Sequence, residues 1–483
     1  MKNKRLLNII FAILFNNVLL SAQNKPNVVF IITDQQSYNM MSCMGNKWLH
    51  TPNMDKIAAM GYRFEKAYCS NPVCTPSRFS IMTGHYASEI GAKSNTPVFD
   101  KEKWNEIVPN GGIGNVLKKN GYDTYYSGKV HLYGSKNAEE YGFKINNTDP
   151  YDGPAIYAEQ VLPEFAKSQK PFALFLSFLN PHDICYKAGA DKRYPDNLPP
   201  DNVRETQRLL AVQKTMSPEE YKKQVPPRVS NLAPINGELH DMVSMDAGAR
   251  KWDDAQWDLN NWMYLRLTES VDAQIGRVLN ALEQSNLMKN TIIVFTTDHG
   301  DMQGAHGLTL KNVMFEECQR IPFIFVGKGI KPNYSDKDNL VCNGIDFVPT
   351  LCDLLGIKAP KGISGMSLKG LLTGKENSLK RDFIINESYH SFQINDGRYK
   401  YTLYELPGHP AILTDIKENP GETINYIDDP KYASTKDQLH KKLMNYLDKK
   451  KLLPLPENHT IEELRQIEKD FRKKNKEEKD AGE

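Results

Sequence analysis

The chain has 483 residues, enough for one large hydrophobic core and a smaller second domain. Its 61 lysine and arginine residues nearly balance 59 aspartate and glutamate residues, which argues against nucleic-acid binding through overall charge, so any anion site must be local. Its seven cysteines lack the regular spacing of a disulfide-rich scaffold or a zinc knuckle, and the sequence does not say whether any of them pair.

Residues 1–22 have the features of a secretory signal peptide. Lys2, Lys4 and Arg5 precede a mostly apolar run over residues 6–20, and small residues follow it. The run is too short to span a bilayer comfortably, and no cysteine follows it that would carry a lipid. We therefore predict an exported protein, periplasmic or secreted, without a stable membrane anchor.

Three continuous runs of apolar residues predict strands that are buried on both faces of a parallel sheet. They cover residues 27–33, 171–179 and 291–297. The polar residues that follow these runs are Asp34, Gln35, His182, Asp298 and His299. Because ligands bind beyond the carboxyl ends of strands in open α/β sheets, these residues are candidates for one site. Taken singly, each has an ordinary structural explanation, such as a capped turn.

Residues 74–84 read C-T-P-S-R-F-S-I-M-T-G and predict a loop that runs into a helix. Pro76 is tolerated in a first helical turn, and Gly84 can end the helix in the left-handed conformation. Cys74 would then lie at the positive N-terminus of the helix, with the Arg78 guanidinium nearby, where anions are stabilised. Read alone, the stretch also fits an inert cysteine beside a structural arginine.

A Gly-Lys-Val-His stretch follows a predicted helix over residues 113–119 and a strand-like run over residues 122–126. In an extended segment Lys129 and His131 face the same side, because one residue separates them. Two groups that can carry positive charge suit an anion with a proton to transfer. A solvated sheet edge explains such a pair equally well.

The region of residues 185–257 is rich in proline and charge, and we interpret it as a lid or pocket wall. Its Trp252 and Trp257 are of the type that stacks on sugar rings. A long amphipathic helix is predicted over residues 262–286. Further along the chain, the sequence predicts a strand over residues 321–326 and a helix over residues 347–355.

Beyond residue 373 the sequence predicts a small antiparallel sheet with one helix against it. The predicted strands cover residues 383–385, 399–404 and 411–413, and the helix covers residues 436–447. We therefore divide the chain into a signal peptide (1–22), a catalytic domain (23–373, with the variable region 185–257), an α+β C-terminal domain (374–460) and a charged tail (461–483).

These stretches together resemble the type I sulfatases, whose signature C-x-P-S-R-x-x-x-x-T-G contains a cysteine that is oxidised to formylglycine. The chain also has the family's G-K-x-H, P-H and D-H-G-D stretches in the same order, followed by Lys311, E-E and R-I-P. The resemblance covers most of the mature chain. It implies an alkaline-phosphatase-like α/β fold, with a mixed, mainly parallel sheet flanked by helices and a smaller C-terminal α+β domain.

The resemblance further implies a sulfuric ester hydrolase with formylglycine at residue 74 as its nucleophile. The implied ligands of one divalent cation are Asp34, Gln35, Asp298, His299 and an oxygen of the modified Cys74. Gln35 stands where many members have a second aspartate, and His299 stands where many have asparagine. Oxygen ligands favour calcium, whereas an imidazole leaves manganese or zinc open.

The implied catalytic residues are Cys74, Arg78, Lys129, His131, His182 and Lys311. Arg78 and the cation would favour the nucleophilic oxyanion, and the two lysines would bind sulfate oxygens. His182 would protonate the leaving alcohol, and His131 would take a proton from the second hydroxyl of the hydrated aldehyde.

The implied partners are a sulfated carbohydrate and, during maturation, a formylglycine-generating or anaerobic sulfatase-maturating enzyme. An exported sulfatase meets extracellular esters, so we expect a glycosaminoglycan-like or other polysaccharide-derived oligosaccharide, sulfated on a uronic acid. The alternatives are a small aryl or alkyl sulfate, or a phosphonate or phosphate ester in the same superfamily. If Cys74 stays a thiol, a non-enzymatic glycan-binding relative is a further alternative.

Overall fold

The computed structural model describes residues 25–95, 99–134, 137–147, 149–168, 170–189, 204–235, 247–405 and 409–452. The predicted signal peptide and charged tail lie outside these ranges. Within them, no helix is both long enough and sufficiently apolar to cross a lipid bilayer.

An eight-stranded sheet forms the centre of the molecule. Its strands are β1 (Asn27–Asp34), β2 (Tyr62–Tyr68), β3 (Asp123–Gly128), β4 (Lys144–Asn147), β5 (Phe172–Pro181), β6 (Thr291–Thr297), β7 (Phe323–Val326) and β8 (Tyr334–Cys342). They lie in the order β4-β3-β5-β1-β6-β7-β2-β8. Strand β7 runs antiparallel to β6 and β2, and the other neighbouring pairs are parallel. The sheet is therefore mixed and mainly parallel, as the sequence predicts.

Helices cover both faces of this sheet. The helices of the described residues are α1 (Pro52–Met60), α2 (Cys74–Thr83), α3 (Lys101–Gly111), α4 (Ile113–Lys119), α5 (Gly153–Phe165), α6 (Ile184–Gly189), α7 (Arg204–Thr215), α8 (Pro218–Gln224), α9 (Asp254–Gln284), α10 (Glu316–Gln319), α11 (Asn343–Leu354), α12 (Lys369–Leu372) and, in the C-terminal part of the chain, α13 (Ala433–Lys449). Phe30 of β1 belongs to one hydrophobic cluster, with residues of α2 and α11, and Ile31 belongs to a second cluster, with residues of α5 and α9. Because every residue of β1 is buried, its sequence shows no polar face.

A four-stranded antiparallel sheet follows in the C-terminal part of the chain. Its strands are β9 (Ile384–Ser388), β10 (Ser391–Asn395), β11 (Tyr399–Tyr404) and β12 (Ile412–Asp415), in the order β12-β11-β10-β9. Helix α13 packs on it through Leu439, Leu443 and Leu447. The buried Lys400 of β11 lies 2.9 Å from a carboxylate oxygen of Glu422 and 3.4 Å from one of Glu316, so it ties this sheet to helix α10.

Several elements differ from the sequence predictions. Helix α9 begins at Asp254 rather than at residue 262, because the Asp253 side chain accepts a hydrogen bond from the Gln256 N–H and caps the helix. Part of the region predicted as irregular forms α7 and α8. Strands β2, β4, β8 and β10 were missed; β8 carries Asp336, Lys337 and Asp338, which hide its pattern at the edge of the sheet.

Candidate active site

Strands β1, β5 and β6 bring their carboxyl ends to one edge of the sheet, because β1 pairs in parallel with both neighbours. Asp34 ends β1, and Asp298 directly follows β6; both side chains are fully buried. The convergence predicted from the sequence is therefore present in the fold. It places two carboxylates beside each other in the protein interior, where each needs a partner.

Arg78 supplies that partner to both carboxylates. Its Nη2 lies 2.8 Å from Asp34 Oδ2, and its Nε lies 2.8 Å from Asp298 Oδ2. The remaining nitrogen, Nη1, donates to Ser177 Oγ at 2.8 Å and to the Lys129 carbonyl oxygen at 3.2 Å. The Arg78 side chain is 1% exposed. Its planar, permanently charged guanidinium therefore holds the polar groups at this edge of the sheet in fixed positions.

Helix α2 begins at Cys74, and Arg78 lies one turn further along the same face. Gly84 ends the helix with a φ of 75°, as predicted. The Cys74 sulfur occupies the position at which the oxygens of a modified residue 74 would lie. It is 3.1 Å from Lys311 Nζ, 3.2 Å from His299 Nε2 and 3.9 Å from Lys129 Nζ.

The electrostatics of this cluster favour an anion at residue 74. Burial and the Asp34 carboxylate raise the pKa of the Cys74 thiol, but Lys129, Lys311 and His299 more than offset them. The pKa of the thiol is therefore well below its usual value. Burial also raises the pKa of Asp34, and the opposing effect of the neighbouring cations, Lys129 foremost, holds it well below its usual range.

Lys129 and Lys311 approach residue 74 from different loops. Lys129 follows β3 and pairs with Asp34 Oδ2 at 2.6 Å. Lys311 is 3% exposed and is flanked by Leu310 and Asn312, which both have positive φ values (65° and 73°). Left-handed backbone at non-glycine residues is costly and is found where the surrounding structure holds a functional loop in place.

The two histidines beyond β3 and β5 differ in position. His182 is close to the cluster, with Nε2 3.9 Å from Asp34 Oδ1, and burial together with Lys129 and Lys311 lowers its pKa to about 3. His131 is exposed, and no hydrogen bond or ion pair joins it to the described residues of the cluster. The expected extended segment is wrong, because β3 ends at Gly128 and His131 has a φ of 46°.

Four side chains of the cluster carry potential metal-ligand atoms that lie close together. One ligand atom each from Asp34, Cys74, Asp298 and His299 lies within 4.8 Å of the others, and all four residues are buried. His299 Nδ1 lies 2.9 Å from the Gly300 carbonyl oxygen, which favours a proton on Nδ1 and leaves Nε2 free to bind a cation. Two carboxylates and one imidazole suit a divalent cation.

The sequence did not identify the residues that support this cluster through hydrogen bonds to its backbone and side chains. Ser77 Oγ donates to the Asp298 carbonyl oxygen at 2.6 Å, and Tyr264 Oη donates to the Gln35 carbonyl oxygen at 2.5 Å. Asp301 contacts Gln35 and was recognisable only as part of the D-H-G-D stretch. Trp257, predicted to stack on a sugar, is 3% exposed and packs instead against Gly304, whereas Trp252 is half-buried.

Comparisons with known proteins show the family of this chain. The sulfatase family model matches residues 26–357, and a second model, "N-sulphoglucosamine sulphohydrolase, C-terminal", matches residues 304–449. A Delta 4,5-hexuronate-2-O-sulfatase of Bacteroides thetaiotaomicron is 28% identical over 451 residues, covering 89% of this chain and 90% of the relative.

Two solved structures extend the comparison. One, described as a 2-O GAG sulfatase, has a TM-score of 0.71 at 25% identity, covering 88% of this chain and 93% of that chain. A phosphonate monoester hydrolase of Agrobacterium radiobacter has a TM-score of 0.69 at 20% identity, covering 88% and 96%, and shares the fold. The family model covers more than half of the sequence, and the fold is alkaline-phosphatase-like. The chain therefore belongs to the sulfatase family and is a sulfuric ester hydrolase.

Proposed function

We propose that the chain is a formylglycine-dependent sulfatase that removes sulfate from a sulfated carbohydrate with one divalent cation. The main observation behind this proposal is the pair of groups next to the Cys74 sulfur: Lys311 Nζ lies at 3.1 Å and His299 Nε2 at 3.2 Å. These groups stabilise negative charge at the atom that must act as a nucleophile. The same groups would also stabilise the negative charge of a bound sulfate ester.

The C-T-P-S-R stretch supports oxidation of Cys74 by a maturation enzyme to formylglycine, whose hydrate carries two hydroxyl groups. One hydroxyl loses its proton to water and its oxygen attacks sulfur. The bond from sulfur to the sugar oxygen breaks at the same time, and the sugar oxygen takes a proton from His182. The second hydroxyl then gives its proton to His131, the bond between residue 74 and sulfate breaks, and the aldehyde is restored. For this step the exposed His131 must turn toward residue 74.

Asp34, Asp298 and His299, with an oxygen of the modified residue 74, would hold the divalent cation, and calcium is the expected ion. Bound there, the cation would supply positive charge that favours ionisation of the nucleophile and offsets the charge of sulfate. Gln35 adjoins this group, but its side-chain amide oxygen, Oε1, accepts a hydrogen bond from Lys311 Nζ at 2.7 Å. Arg78 pairs with both carboxylates and fixes their positions for the ion.

Lys129 and Lys311 would hold the sulfate oxygens on two sides of residue 74. His182 would give a proton to the leaving sugar oxygen. With a pKa of about 3, this histidine is neutral in the absence of substrate. A sulfate group bound between the two lysines would offset part of their positive charge, which disfavours protonation of His182. The pKa of His182 would therefore rise, and the imidazole would take up a proton as the substrate binds.

We propose a glycosaminoglycan-like or other polysaccharide-derived oligosaccharide as substrate, sulfated on a uronic acid. Support comes from two similar proteins, the Delta 4,5-hexuronate-2-O-sulfatase and the 2-O GAG sulfatase described above. The apolar run over residues 6–20 supports export to the periplasm or beyond, where such sugars occur.

The test compares sulfate release from a panel of sulfated mono- and disaccharides with hydrolysis of nitrophenyl sulfate by the matured, calcium-loaded protein. We expect at least one sugar to have a higher kcat/KM than the aryl ester. If the aryl ester is hydrolysed far faster than every sugar, and the sugars do not compete with it, the carbohydrate proposal is wrong.

A phosphonate or phosphate ester is the second candidate. The ligand set favours it in one respect, since Gln35 and His299 replace the aspartate and asparagine of many sulfatases. A two-metal phosphatase would need a second set of ligands beyond Asp34, Cys74, Asp298 and His299, and the described residues present a single such group. Higher kcat/KM on a phenyl phosphonate monoester than on every sulfate would establish this alternative.

A further inference from the structure

The main chain of Lys129 is held by hydrogen bonds at both of its polar atoms. Its N–H donates to the Ser177 carbonyl oxygen at 2.9 Å. Its carbonyl oxygen accepts from Tyr126 Oη at 2.8 Å and from Arg78 Nη1 at 3.2 Å. A carbonyl oxygen has two lone pairs, so these two donors satisfy it fully. We refer to these three hydrogen bonds as the Lys129 clamp.

The chain turns sharply to bring Lys129 out of strand β3. Gly128 ends the strand with a φ of 93°, and a Cβ at this position would collide with the Ser177 carbonyl oxygen. Only glycine tolerates both this backbone conformation and this close approach. After the turn, the Lys129 side chain is 12% exposed and places its Nζ 3.9 Å from the Cys74 sulfur. A shift of the turn would therefore move the ammonium relative to residue 74.

Tyr126 contributes to the clamp from within strand β3. Its side chain is fully buried, and its ring packs against Phe143 and Phe175 at centroid distances of 5.7 and 6.5 Å. Burial raises the pKa of the Tyr126 hydroxyl, which therefore keeps its proton and remains a donor. Because the ring is fixed among its neighbours, the hydroxyl is a rigid donor to the carbonyl oxygen three residues further along the chain.

The clamp matters because the Lys129 side chain does not hold a position by itself. Its four-carbon stem is flexible, and its ammonium has no preferred direction of its own. A displacement of about 1 Å at a group that positions the substrate can cost about 100-fold in rate. The clamp restricts the places that the ammonium can reach. It uses no atom of Asp34, Asp298 or His299, so it is separate from the proposed metal group.

We propose that Tyr126 is a positioning residue for the reaction. Its hydroxyl fixes the Lys129 carbonyl oxygen, and thereby fixes the point from which the lysine side chain reaches the sulfate group. The inference rests on the proposed function, in which Lys129 holds sulfate oxygens. It assigns to Tyr126 an effect on turnover that is transmitted through Lys129.

A double-mutant cycle tests the inference, with nitrophenyl sulfate as the substrate of the matured, calcium-loaded protein. Tyr126→Phe removes the hydroxyl and leaves the ring in its packing. We expect this change to lower kcat/KM about tenfold, the size expected for one lost hydrogen bond. In the Lys129→Ala background the same change should alter kcat/KM less than about twofold, because the side chain that the hydroxyl positions is gone.

Tyr122→Phe is the matched control. Tyr122 directly precedes β3, is 2% exposed, and donates from its hydroxyl to the Pro26 carbonyl oxygen at 3.0 Å. Pro26 directly precedes β1, so this hydrogen bond lies at the amino ends of the strands, away from residue 74. Both tyrosine variants lose a buried hydrogen bond to a carbonyl oxygen, and denaturant unfolding should show similar losses of stability. Only Tyr126→Phe should lose activity, and Tyr122→Phe should keep kcat/KM within about twofold of the parent value.

Calcium affinity, measured by calorimetric titration, should stay within about twofold of the parent value in Tyr126→Phe. A loss of affinity that parallels the loss of activity would overturn the inference, because Tyr126 would then act through Arg78 on the metal carboxylates. An unchanged kcat/KM in Tyr126→Phe, or an equally large effect with and without the Lys129 side chain, would overturn it as well.

These three results leave the proposed function in place. An unchanged kcat/KM in Lys129→Ala would instead reject the proposed role of that lysine, and the inference with it. Nitrophenyl sulfate carries no sugar, so the cycle is read independently of the carbohydrate panel.

Discussion

His182 is predicted to become an acid only when sulfate is bound, and its removal should therefore depend on the leaving group. At its pKa of about 3, protonating the imidazole at pH 7 costs about 5 kcal/mol, since each pKa unit corresponds to about 1.4 kcal/mol. One negative charge of a bound sulfate, about 4 Å from the imidazole, would stabilise its protonated form by about 4 kcal/mol at the effective dielectric constant of such sites. Sulfate binding can thus restore most of the acid form.

We expect His182→Ala to lower kcat for a sugar sulfate by about 100- to 10,000-fold, the usual contribution of general acid catalysis. Nitrophenyl sulfate should lose less than about tenfold, because nitrophenolate leaves without a proton. The assay measures sulfate release from both esters across pH. The acid must be protonated to act, so kcat of the parent enzyme on the sugar should fall as pH rises through the pKa of the complex, and His182→Ala should lack this alkaline limb.

His50→Ala is the control, because His50 is exposed and lies outside the cluster. It should leave both rates and the pH profile unchanged. Equal losses on the two esters in His182→Ala, or an unchanged alkaline limb, would contradict the acid role.

Four other substitutions test further parts of the site and fold. Asp298→Ala should abolish calcium binding and activity together, because it removes a carboxylate from the proposed metal group; calorimetry that finds unchanged calcium affinity would contradict this. Lys129→Ala and Lys311→Ala should each lower kcat/KM by about 100- to 1,000-fold on aryl and sugar sulfates alike, since both lysines are proposed to hold the sulfate group common to all substrates. Steady-state kinetics showing a loss confined to sugars would instead make them sugar contacts. Phe30→Ala should cost about 3–5 kcal/mol of unfolding free energy by leaving a cavity at the centre of the sheet; denaturant unfolding measures it, and a loss below about 1 kcal/mol would refute this packing.

The sequence predicted the parts of the site that depend on local pattern. The run over residues 291–297 coincides with β6, and the run over 27–33 falls one residue short of β1. Such runs are readable because strands buried on both faces consist mainly of apolar and β-branched residues. Parallel pairing then brings Asp34 and Asp298 together without further information.

The contacts that depend on long-range packing could not be predicted in this way. Arg78 and Asp298 are separated by 220 positions, and Gln35 and Asp301 by 266. Hydrogen bonds between such partners follow from register and loop geometry, which no local pattern encodes. The predicted extended segment through His131 was wrong for a related reason, since the left-handed backbone of His131 ends it.

The central claim is that residue 74 acts as formylglycine, and mass spectrometry of the peptide that contains it tests this most directly. The protein is produced with a formylglycine-generating enzyme, its activity is measured, and the same sample is digested. We predict that the peptide with residue 74 carries an aldehyde or its hydrate, in a proportion that follows specific activity between preparations. A fully active preparation in which residue 74 is entirely an unmodified thiol would contradict the account.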